Sequence, residues 1–431
     1  MASFKKNILT LIAGTLLAQA LPLITSPILT RLFSAEDFGY FQLFSSVGSF
    51  FIAISALCYD FAIIIPKTMK KAINVFALSF LFTFIISAVV FLFFYGIKYT
   101  SFIKSLSPIF SGKTFAVLLP FFIFLMSANK FLIYWNNRKE NFKRQAKNKV
   151  IQSLVISLSS IAFGYYGVFP NGLVVAYLFG IFVSVTILVY WFIHEDYYLL
   201  KTITLKKLCA VSREFRNFPQ KTIFSSLINA LYNHGKIIIF ANFFSPVFIG
   251  NYSLCVRILG APITLVSLSV ADVLFKKAVD WSNNENYQNL NFNLKKVFLG
   301  LFVLGLIPAT IIFLWGGSIF KTIFGSSWET AGKFASILSL SFLMEFSVTP
   351  FCRVFYVLKK QSLYLKWELI RFTVVFASIW TCIYYNFSEV MFLQFMAVSV
   401  AFSYGILLYF LNGETKKYAY KCLKDNGATL F

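Results

Sequence analysis

Residues 72–97 read AINVFALSFLFTFIISAVVFLFFYGI, a run of 26 residues without a charged side chain. About 20 apolar residues are enough for a helix to cross the hydrocarbon core of a bilayer. Lys70 and Lys71 precede the run and Lys98 follows it, so the charges lie where the two membrane surfaces would be. The pattern predicts a transmembrane helix, and it recurs along the rest of the chain.

The whole chain has the composition of a membrane protein. It is 58% hydrophobic, 19% aromatic and only 13% charged, with a mean hydropathy of +0.75, whereas a soluble domain carries about 25% charged residues. We therefore predict an all-α integral membrane protein with about 12 transmembrane helices. The predicted spans are residues 7–29, 40–65, 72–97, 115–135, 150–168, 173–193, 222–243, 247–275, 297–315, 334–358, 367–385 and 390–411.

Lys and Arg are distributed unevenly between the two sides of the predicted membrane. With the N-terminus inside, 28 of the 39 fall in cytoplasmic segments and six in outer loops. Because cytoplasmic loops carry the excess of basic residues, we expect both termini in the cytoplasm. The net charge of +23 is then explained by these loops and does not indicate nucleic-acid binding.

The loops and cysteines argue against catalysis and metal binding. The longest predicted outer loop, residues 98–114, is too short for a catalytic domain, so we do not expect an enzyme. The six cysteines contain no CxxC pair, so neither a zinc site nor a disulfide framework is expected. No nucleotide-binding or phosphate-binding glycine motif is apparent, and we predict no cofactor.

A sequence repeat relates the two halves of the chain. FSAEDFGYF at residues 33–41 corresponds to FSPVFIGNY at residues 244–252, an offset of 211. Six spans in each half would give both halves the same orientation, with a substrate site between them. We predict an N-terminal lobe over residues 1–200, a cytoplasmic linker over residues 201–221 and a C-terminal lobe over residues 222–431.

Polar residues within the predicted spans suggest where a cavity would lie. Gln19 lies in the first span, and Asn229 and Asn233 lie in the seventh. Small and weakly polar residues also pack membrane helices against each other, and that alternative stays open. A charge near the bilayer centre costs about 2.5–3.5 kcal/mol and usually faces water or a partner. The charged or titratable residues that lie deepest are His234, Lys236, Arg257, Glu345 and Arg353.

Other charges in the spans have simpler interpretations. Lys130 lies near the end of its span, where its ammonium group can reach the interface. Glu368 and Arg371 are spaced as an ordinary helix-surface pair. Asp60 lies near the cytoplasmic edge and is ambiguous. In the deeper group, three fixed cations and one histidine accompany a single carboxylate, which favours an anionic substrate.

Motifs in the first 67 residues resemble those of a known family. They are Ala18-Gln19, Pro22, Ser26-Pro27, LTRLFS at residues 29–34, EDFG at residues 36–39, YDFAI at residues 59–63 and Pro66-Lys67. This pattern is similar to that of the Wzx-type O-antigen and capsular polysaccharide flippases. They belong to the polysaccharide transporter family of the multidrug, oligosaccharidyl-lipid and polysaccharide exporter superfamily.

The resemblance implies a fold and a function. The fold is two six-helix lobes that form a V around a central cavity. The function is movement of an undecaprenyl-diphosphate-linked oligosaccharide, a repeat unit for O-antigen, lipopolysaccharide or capsule biosynthesis, to the periplasmic leaflet of a bacterial inner membrane. A polysaccharide polymerase is an implied partner besides membrane lipid. This sequence has Cys58 where the family commonly has a basic residue before the tyrosine, which removes an expected partner of Asp60.

The resemblance also suggests roles for the polar residues. The cations that would hold the diphosphate are Lys236, Arg257 and Arg353. The groups that would meet sugar hydroxyls are Asn229, Asn233 and Gln19. The candidates for coupling to an ion gradient are Glu345, Asp60 and His234, with proton coupling, sodium coupling and no coupling all open.

Two alternative functions use the same architecture or the same membrane. A small-solute or cationic-drug antiporter would have this fold, but it would be expected to place acidic residues in the cavity. A membrane glycan polymerase or ligase would need a sizeable outer loop with catalytic acids or bases. Both fit the sequence less well than a flippase does.

Overall fold

The computed structural model of the protein describes residues 2–97, 113–167, 171–283 and 287–425, and these residues are almost entirely helical. The first six helices are α1 (Ala2–Leu32), α2 (Ala35–Ser55), α3 (Met69–Ile97), α4 (Lys113–Arg138), α5 (Phe142–Tyr166) and α6 (Gly172–Leu200). Three shorter helices follow: α7 (Leu205–Glu214), α8 (Ile223–Ala230) and α9 (Lys236–Phe243). The remaining helices are α10 (Pro246–Pro262), α11 (Leu268–Asn283), α12 (Tyr287–Phe324), α13 (Glu329–Val348), α14 (Val354–Val357), α15 (Gln361–Tyr384) and α16 (Glu389–Asp425). Most of the predicted outer loop at residues 98–114 lies outside the described residues.

Ten helical stretches of the described residues are long and apolar enough to cross a membrane. They account for ten of the twelve predicted spans. The predicted span at residues 150–168 lies in α5, where buried Ser153, Ser157, Ser159 and Ser160 lower the hydropathy. Ser159 Oγ donates to the Val155 carbonyl of its own helix at 2.6 Å, whereas Ser153 Oγ donates to the Ala18 carbonyl on α1 at 2.6 Å.

The predicted span at residues 222–243 is helical but is not among these ten stretches, and it is not one continuous helix, which corrects the prediction. A π-helical turn at Leu231–Gly235 separates α8 from α9, and a second π turn at Phe218–Thr222 precedes α8. The next span is also interrupted, by a π turn at Ile263–Ser267 between α10 and α11. Such turns add a residue to one helical turn and are frequent at functional sites.

The predicted span at residues 40–65 is also wrong as a continuous helix. Its helix α2 ends at Ser55, and a 3₁₀ helix covers Tyr59–Ile64. Between them, Leu57 and Cys58 have φ angles of 48° and 62°, which side chains other than glycine adopt at a cost. The segment is held from outside, because the Tyr59 hydroxyl lies 3.1 Å from the Ser212 carbonyl and Arg138 donates to the Ile64 carbonyl at 2.8 Å.

The first sequence repeat forms a helix start. The Asp37 backbone N–H donates to Ser34 Oγ at 3.2 Å, and the Ser34 N–H donates to the Asp37 carboxylate at 2.9 Å. This reciprocal arrangement is a capping box, which satisfies backbone donors that a helix start leaves unpaired. At the corresponding position in the second half, Ser245 Oγ accepts from the Phe248 N–H at 3.2 Å.

The chain divides into two compact units, Met1–Gly250 and Asn251–Phe431. In the first unit, the core contains Phe76, Trp135 and Phe192, whose rings contact one another, and α2 packs along α8, the π turn and α9. In the second unit, the core surrounds the fully buried Trp367. The lobe boundary at residues 201–221 stays a prediction.

Candidate functional site

The interrupted helix α8–α9 carries the largest group of predicted site residues. Asn229 and Asn233 are exposed, and His234 and Lys236 are half-buried. The Asn233 side-chain amide donates to the Asn229 carbonyl at 3.0 Å and also to the Asn229 side-chain oxygen. The Lys236 ammonium lies 4.7 Å from the centroid of the Tyr232 ring, a cation–π distance. The two amides thus form one polar face next to a cation.

The position of this face within a predicted span constrains its surroundings. Irregular backbone at membrane depth is tolerated only where it is buried in protein or lines a water-filled cavity. Asn229 and Asn233 are exposed, so in the folded chain they are not buried in protein. Within the predicted span, exposed amides are expected to face water and not hydrocarbon.

A second polar face lies on α1, where Gln19 is exposed. One turn earlier, the Thr15 hydroxyl accepts a hydrogen bond from the Lys149 ammonium at 3.2 Å. The sequence prediction treated Lys149 as one of several cytoplasmic loop cations, and the structure instead directs its side chain at α1. The spacing in the sequence could have indicated this direction. Lys149 and the buried Ser153 are four residues apart, so they share a face of α5.

Asp60 and Lys130 are ion-paired, which corrects the interpretation of Lys130 as a residue that reaches for the interface. Asp60 Oδ2 and Lys130 Nζ are 2.6 Å apart, and the two side chains are 3% and 31% exposed. This sequence has Cys58 where a basic partner of Asp60 was expected. Lys130 on α4 supplies the positive charge instead. Hydropathy and spacing did not reveal this pair because its members are far apart in the chain.

The predicted site residues of the second unit lie on three helical segments. Arg257 is on α10, Glu345 is on α13, and Arg353 ends the 3₁₀ helix Thr349–Arg353; all three are half-buried. The Thr349 hydroxyl donates to the Glu345 carbonyl at 2.6 Å, where α13 changes to the 3₁₀ helix. The predicted surface residue Arg371 stacks on the buried Trp367, with 4.5 Å from its guanidinium carbon to the ring centroid.

Another charged cluster joins the α4–α5 turn to the end of α6. Lys139 Nζ lies 2.7 Å from Glu195 Oε2 and 3.0 Å from Asp196 Oδ2, and Arg144 also pairs with Glu195. The indole N–H of Trp135 donates to Asp196 at 2.8 Å. Burial lowers the pKa of Lys139, but hydrogen bonds to Glu195 and Asp196 outweigh it, so the pKa is raised overall. We interpret this cluster as structural.

Comparisons with known proteins identify the group to which this architecture belongs. A family model described as polysaccharide biosynthesis protein matches residues 4–275. No curated protein sequence matches the chain.

Solved structures of transporters have a similar fold. An inward-facing multidrug resistance MATE family transporter of the MOP superfamily is 14% identical; the match covers 93% of this chain and 96% of that one, with a TM-score of 0.69. Lipid II flippase MurJ, in an inward closed conformation, is 15% identical over 96% of this chain and 90% of its own, also with a TM-score of 0.69. The eukaryotic MATE transporter AtDTX14 is 12% identical over 98% and 99%, with a TM-score of 0.56. At these identities the likeness shows the fold alone.

Proposed function

This chain belongs to the polysaccharide biosynthesis protein family and has the fold of MOP-superfamily flippases and transporters, and on that premise we propose that it flips an undecaprenyl-diphosphate-linked oligosaccharide. The passenger would be an O-antigen or capsule repeat unit. It would move from the cytoplasmic to the periplasmic leaflet of a bacterial inner membrane. The excess of Lys and Arg in the predicted inner loops supports an orientation with both termini in the cytoplasm.

The observation that carries this proposal is the exposed amide face of α8–α9, which lies within the predicted seventh span. A diphosphate with several sugars cannot enter hydrocarbon without a large desolvation penalty. Exposed Asn229 and Asn233 offer both donors and acceptors, which is what sugar hydroxyl groups require. Gln19 offers the same groups on α1. A helix built only for packing in lipid would not expose amides there.

The diphosphate needs cations as well as amides. We propose Lys236, Arg257 and Arg353 as its ligands. A lysine ammonium acts as a point charge, whereas the arginine guanidinium presents paired N–H groups that match phosphate oxygens. The fixed positive charge of this set favours an anionic passenger over a cationic drug.

Coupling to an ion gradient is a separate proposal. Glu345, Asp60 and His234 are the candidates, and the ion would be a proton or sodium. Flipping measured in vesicles with an imposed pH gradient, an imposed sodium gradient or neither would distinguish the three possibilities. A rate that is the same in all three conditions would show that flipping is uncoupled. A partnership with a polysaccharide polymerase is likewise proposed by resemblance only.

The primary test is translocation in proteoliposomes. A labelled undecaprenyl-diphosphate oligosaccharide is followed as it becomes accessible to a glycosidase confined to the opposite side. We expect flipping that depends on the protein and falls about tenfold or more in Lys236→Ala and in the double variant Asn229→Ala/Asn233→Ala, because each loses hydrogen bonds to the headgroup.

The matched control is Asn242→Ala. Asn242 is also exposed, lies on α9 and donates to the backbone four residues before it, at 3.0 Å. It belongs to the same predicted span but not to the amide face. An unchanged flipping rate in all these variants would exclude the α8–α9 surface as a substrate-binding site. No flipping of any lipid-linked glycan, together with uptake of small cations, would instead support the antiporter.

A further inference from the structure

The Asp60–Lys130 ion pair joins a buried carboxylate to a partly exposed cation. Asp60 is almost completely buried, and Lys130 is about one-third exposed, with 2.6 Å between Oδ2 and Nζ. One side of the ammonium group therefore contacts a buried carboxylate, while part of the lysine side chain stays accessible. Because the Lys130 side chain is only partly buried, a second anion can approach it without unfolding of the chain.

Aromatic rings complete the surroundings of the cation. The Lys130 ammonium lies 4.9 Å from the centroid of Phe61 and 5.9 Å from that of Tyr134. Ring faces attract a cation through their quadrupole and do not compete for its hydrogen-bond donors. The rings thus keep the ammonium in place, while its three N–H donors remain suited to oxygen ligands.

The backbone that carries Asp60 is under strain and is anchored to the α8–α9 region. Leu57 and Cys58 are both left-handed, and such strain persists only where the surroundings hold it. Cys58 Sγ lies 3.4 Å from Ser226 Oγ on α8, the helix that also carries Asn229. Cys58, two residues before Asp60, therefore links the segment of the ion pair to α8.

The depth of the pair places it near the cytoplasmic edge. Arg138 begins a basic run at residues 138–149, which lies in a predicted cytoplasmic loop, and it donates to the Ile64 carbonyl. Lys130 precedes Arg138 on the same helix by about 12 Å of helix axis. This is the leaflet in which a lipid-linked headgroup starts its passage under the proposed function.

We propose that Lys130 is a loading site for the diphosphate group, and that this group displaces Asp60 from the Lys130 ammonium on binding. The inference rests on the proposed function for its ligand class. A diphosphate carries more negative charge and more acceptor oxygens than one carboxylate, so it competes effectively for the same donors. Displacement leaves the Asp60 charge buried without its cation, which is costly. Asp60 therefore keeps the affinity moderate and favours release.

The test is binding to the full-length protein in nanodiscs, with farnesyl diphosphate, inorganic pyrophosphate and farnesol as probes. We expect Lys130→Gln to weaken farnesyl diphosphate binding about tenfold, Lys130→Arg to retain it, and Asp60→Asn to tighten it several-fold. Farnesol binding should be unchanged in all variants. Pyrophosphate that binds as tightly as farnesyl diphosphate would identify the free anion as the ligand, and weaker pyrophosphate binding would identify the lipid headgroup.

The predicted changes in diphosphate affinity have opposite signs for Lys130→Gln and Asp60→Asn. This distinguishes the loading site from a purely structural ion pair. If the pair only holds the fold, Lys130→Gln and Asp60→Asn will both lower thermal stability, and their affinities will not move in opposite directions; that result overturns the proposal. The double variant Asp60→Asn/Lys130→Gln leaves no buried charge and guards against misfolding of either single variant. It should bind as weakly as Lys130→Gln.

A matched control is the exposed pair of Lys71 and Glu214, which has the same 2.6 Å separation. Lys71→Gln and Glu214→Gln should leave diphosphate binding unchanged. Normal flipping of the lipid-linked oligosaccharide with unaltered binding in the Lys130 variants would reject the loading site and keep the function. Absence of both binding and flipping in the unmodified protein would reject the function itself.

Discussion

Gly39 and Gly250, which are 211 residues apart and correspond in the sequence repeat, each face the backbone of the other's helix. A Cβ on Gly39 would overlap the Pro246 carbonyl oxygen and lie 3.1 Å from the Gly250 nitrogen. A Cβ on Gly250 would overlap the Ala35 carbonyl oxygen. Ala35 and Pro246 also correspond in the repeat, so the contact is reciprocal. The repeat thus reflects a local two-fold relation between α2 and the start of α10.

This crossing predicts that neither glycine tolerates a side chain. Gly39→Ala and Gly250→Ala should each destabilise the protein by about 2 kcal/mol, because the opposing atoms are backbone and cannot rotate away. The measurement is the thermal unfolding midpoint of the purified protein. Gly405→Ala on α16 is the control, since no atom lies within 4 Å of its Cβ position; alanine should be neutral or slightly stabilising there. An unchanged midpoint for Gly39→Ala would mean that the helices do not approach so closely.

The helix starts beside this crossing depend on their serine caps. Ser34→Ala and Ser245→Ala should each cost about 1 kcal/mol, because a backbone N–H loses its acceptor in each case. Ser34→Thr should keep most of the stability, since threonine retains the hydroxyl group that caps the helix and bonds to Asp37. Hydrogen exchange of the first turn of α2 reports the effect locally. Equal protection from hydrogen exchange in Ser34→Ala and in the unmodified protein would contradict this prediction.

The cluster around Lys139 predicts a dependence on alkaline pH. The pKa of Lys139 is raised by Glu195 and Asp196, so its stabilisation is complete below the unfolded value of about 10.4 and is lost as pH rises through the higher folded value. Lys139→Gln should cost about 2 kcal/mol at neutral pH, because Asp196 is buried. Thermal midpoints between pH 7 and 11.5 test this. Lys139→Arg stays charged over this range, so its thermal midpoint should fall less at alkaline pH than that of the unmodified protein. An identical fall would mean that other groups cause it.

Lys149 is predicted to contribute to transport through its contact with α1. Lys149→Gln should lower flipping about tenfold in proteoliposomes, because it removes a cation from the face that carries Thr15 and Gln19. Lys147→Gln is the control, since Lys147 is exposed and belongs to the same basic run. Equal rates in both variants would mean that Lys149 serves only to join α5 to α1.

The transmembrane architecture was largely predictable because its signals are local in the sequence. Residues 72–97 are apolar enough to require a bilayer wherever the rest of the chain lies, and α3 forms over Met69–Ile97 as expected. The repeat at residues 33–41 and 244–252 was also readable, because a turn with a cap and a glycine has the same requirements in both halves. The positions of Asn229 and Asn233 within the predicted seventh span followed from the sequence, whereas their exposure is known from the structure.

Tertiary structure decided the rest. The pairing of Asp60 with Lys130 joins two residues distant in sequence, and no period or motif encodes which cation a carboxylate meets. The break of the second span has no sequence marker either, because Leu57 and Cys58 lack the glycine that normally signals a left-handed backbone. Hydropathy in the sequence indicated which segments cross the membrane. Packing between helices determined where those helices are interrupted and which charged residues pair, because burial and contacts between distant residues form only when the chain folds.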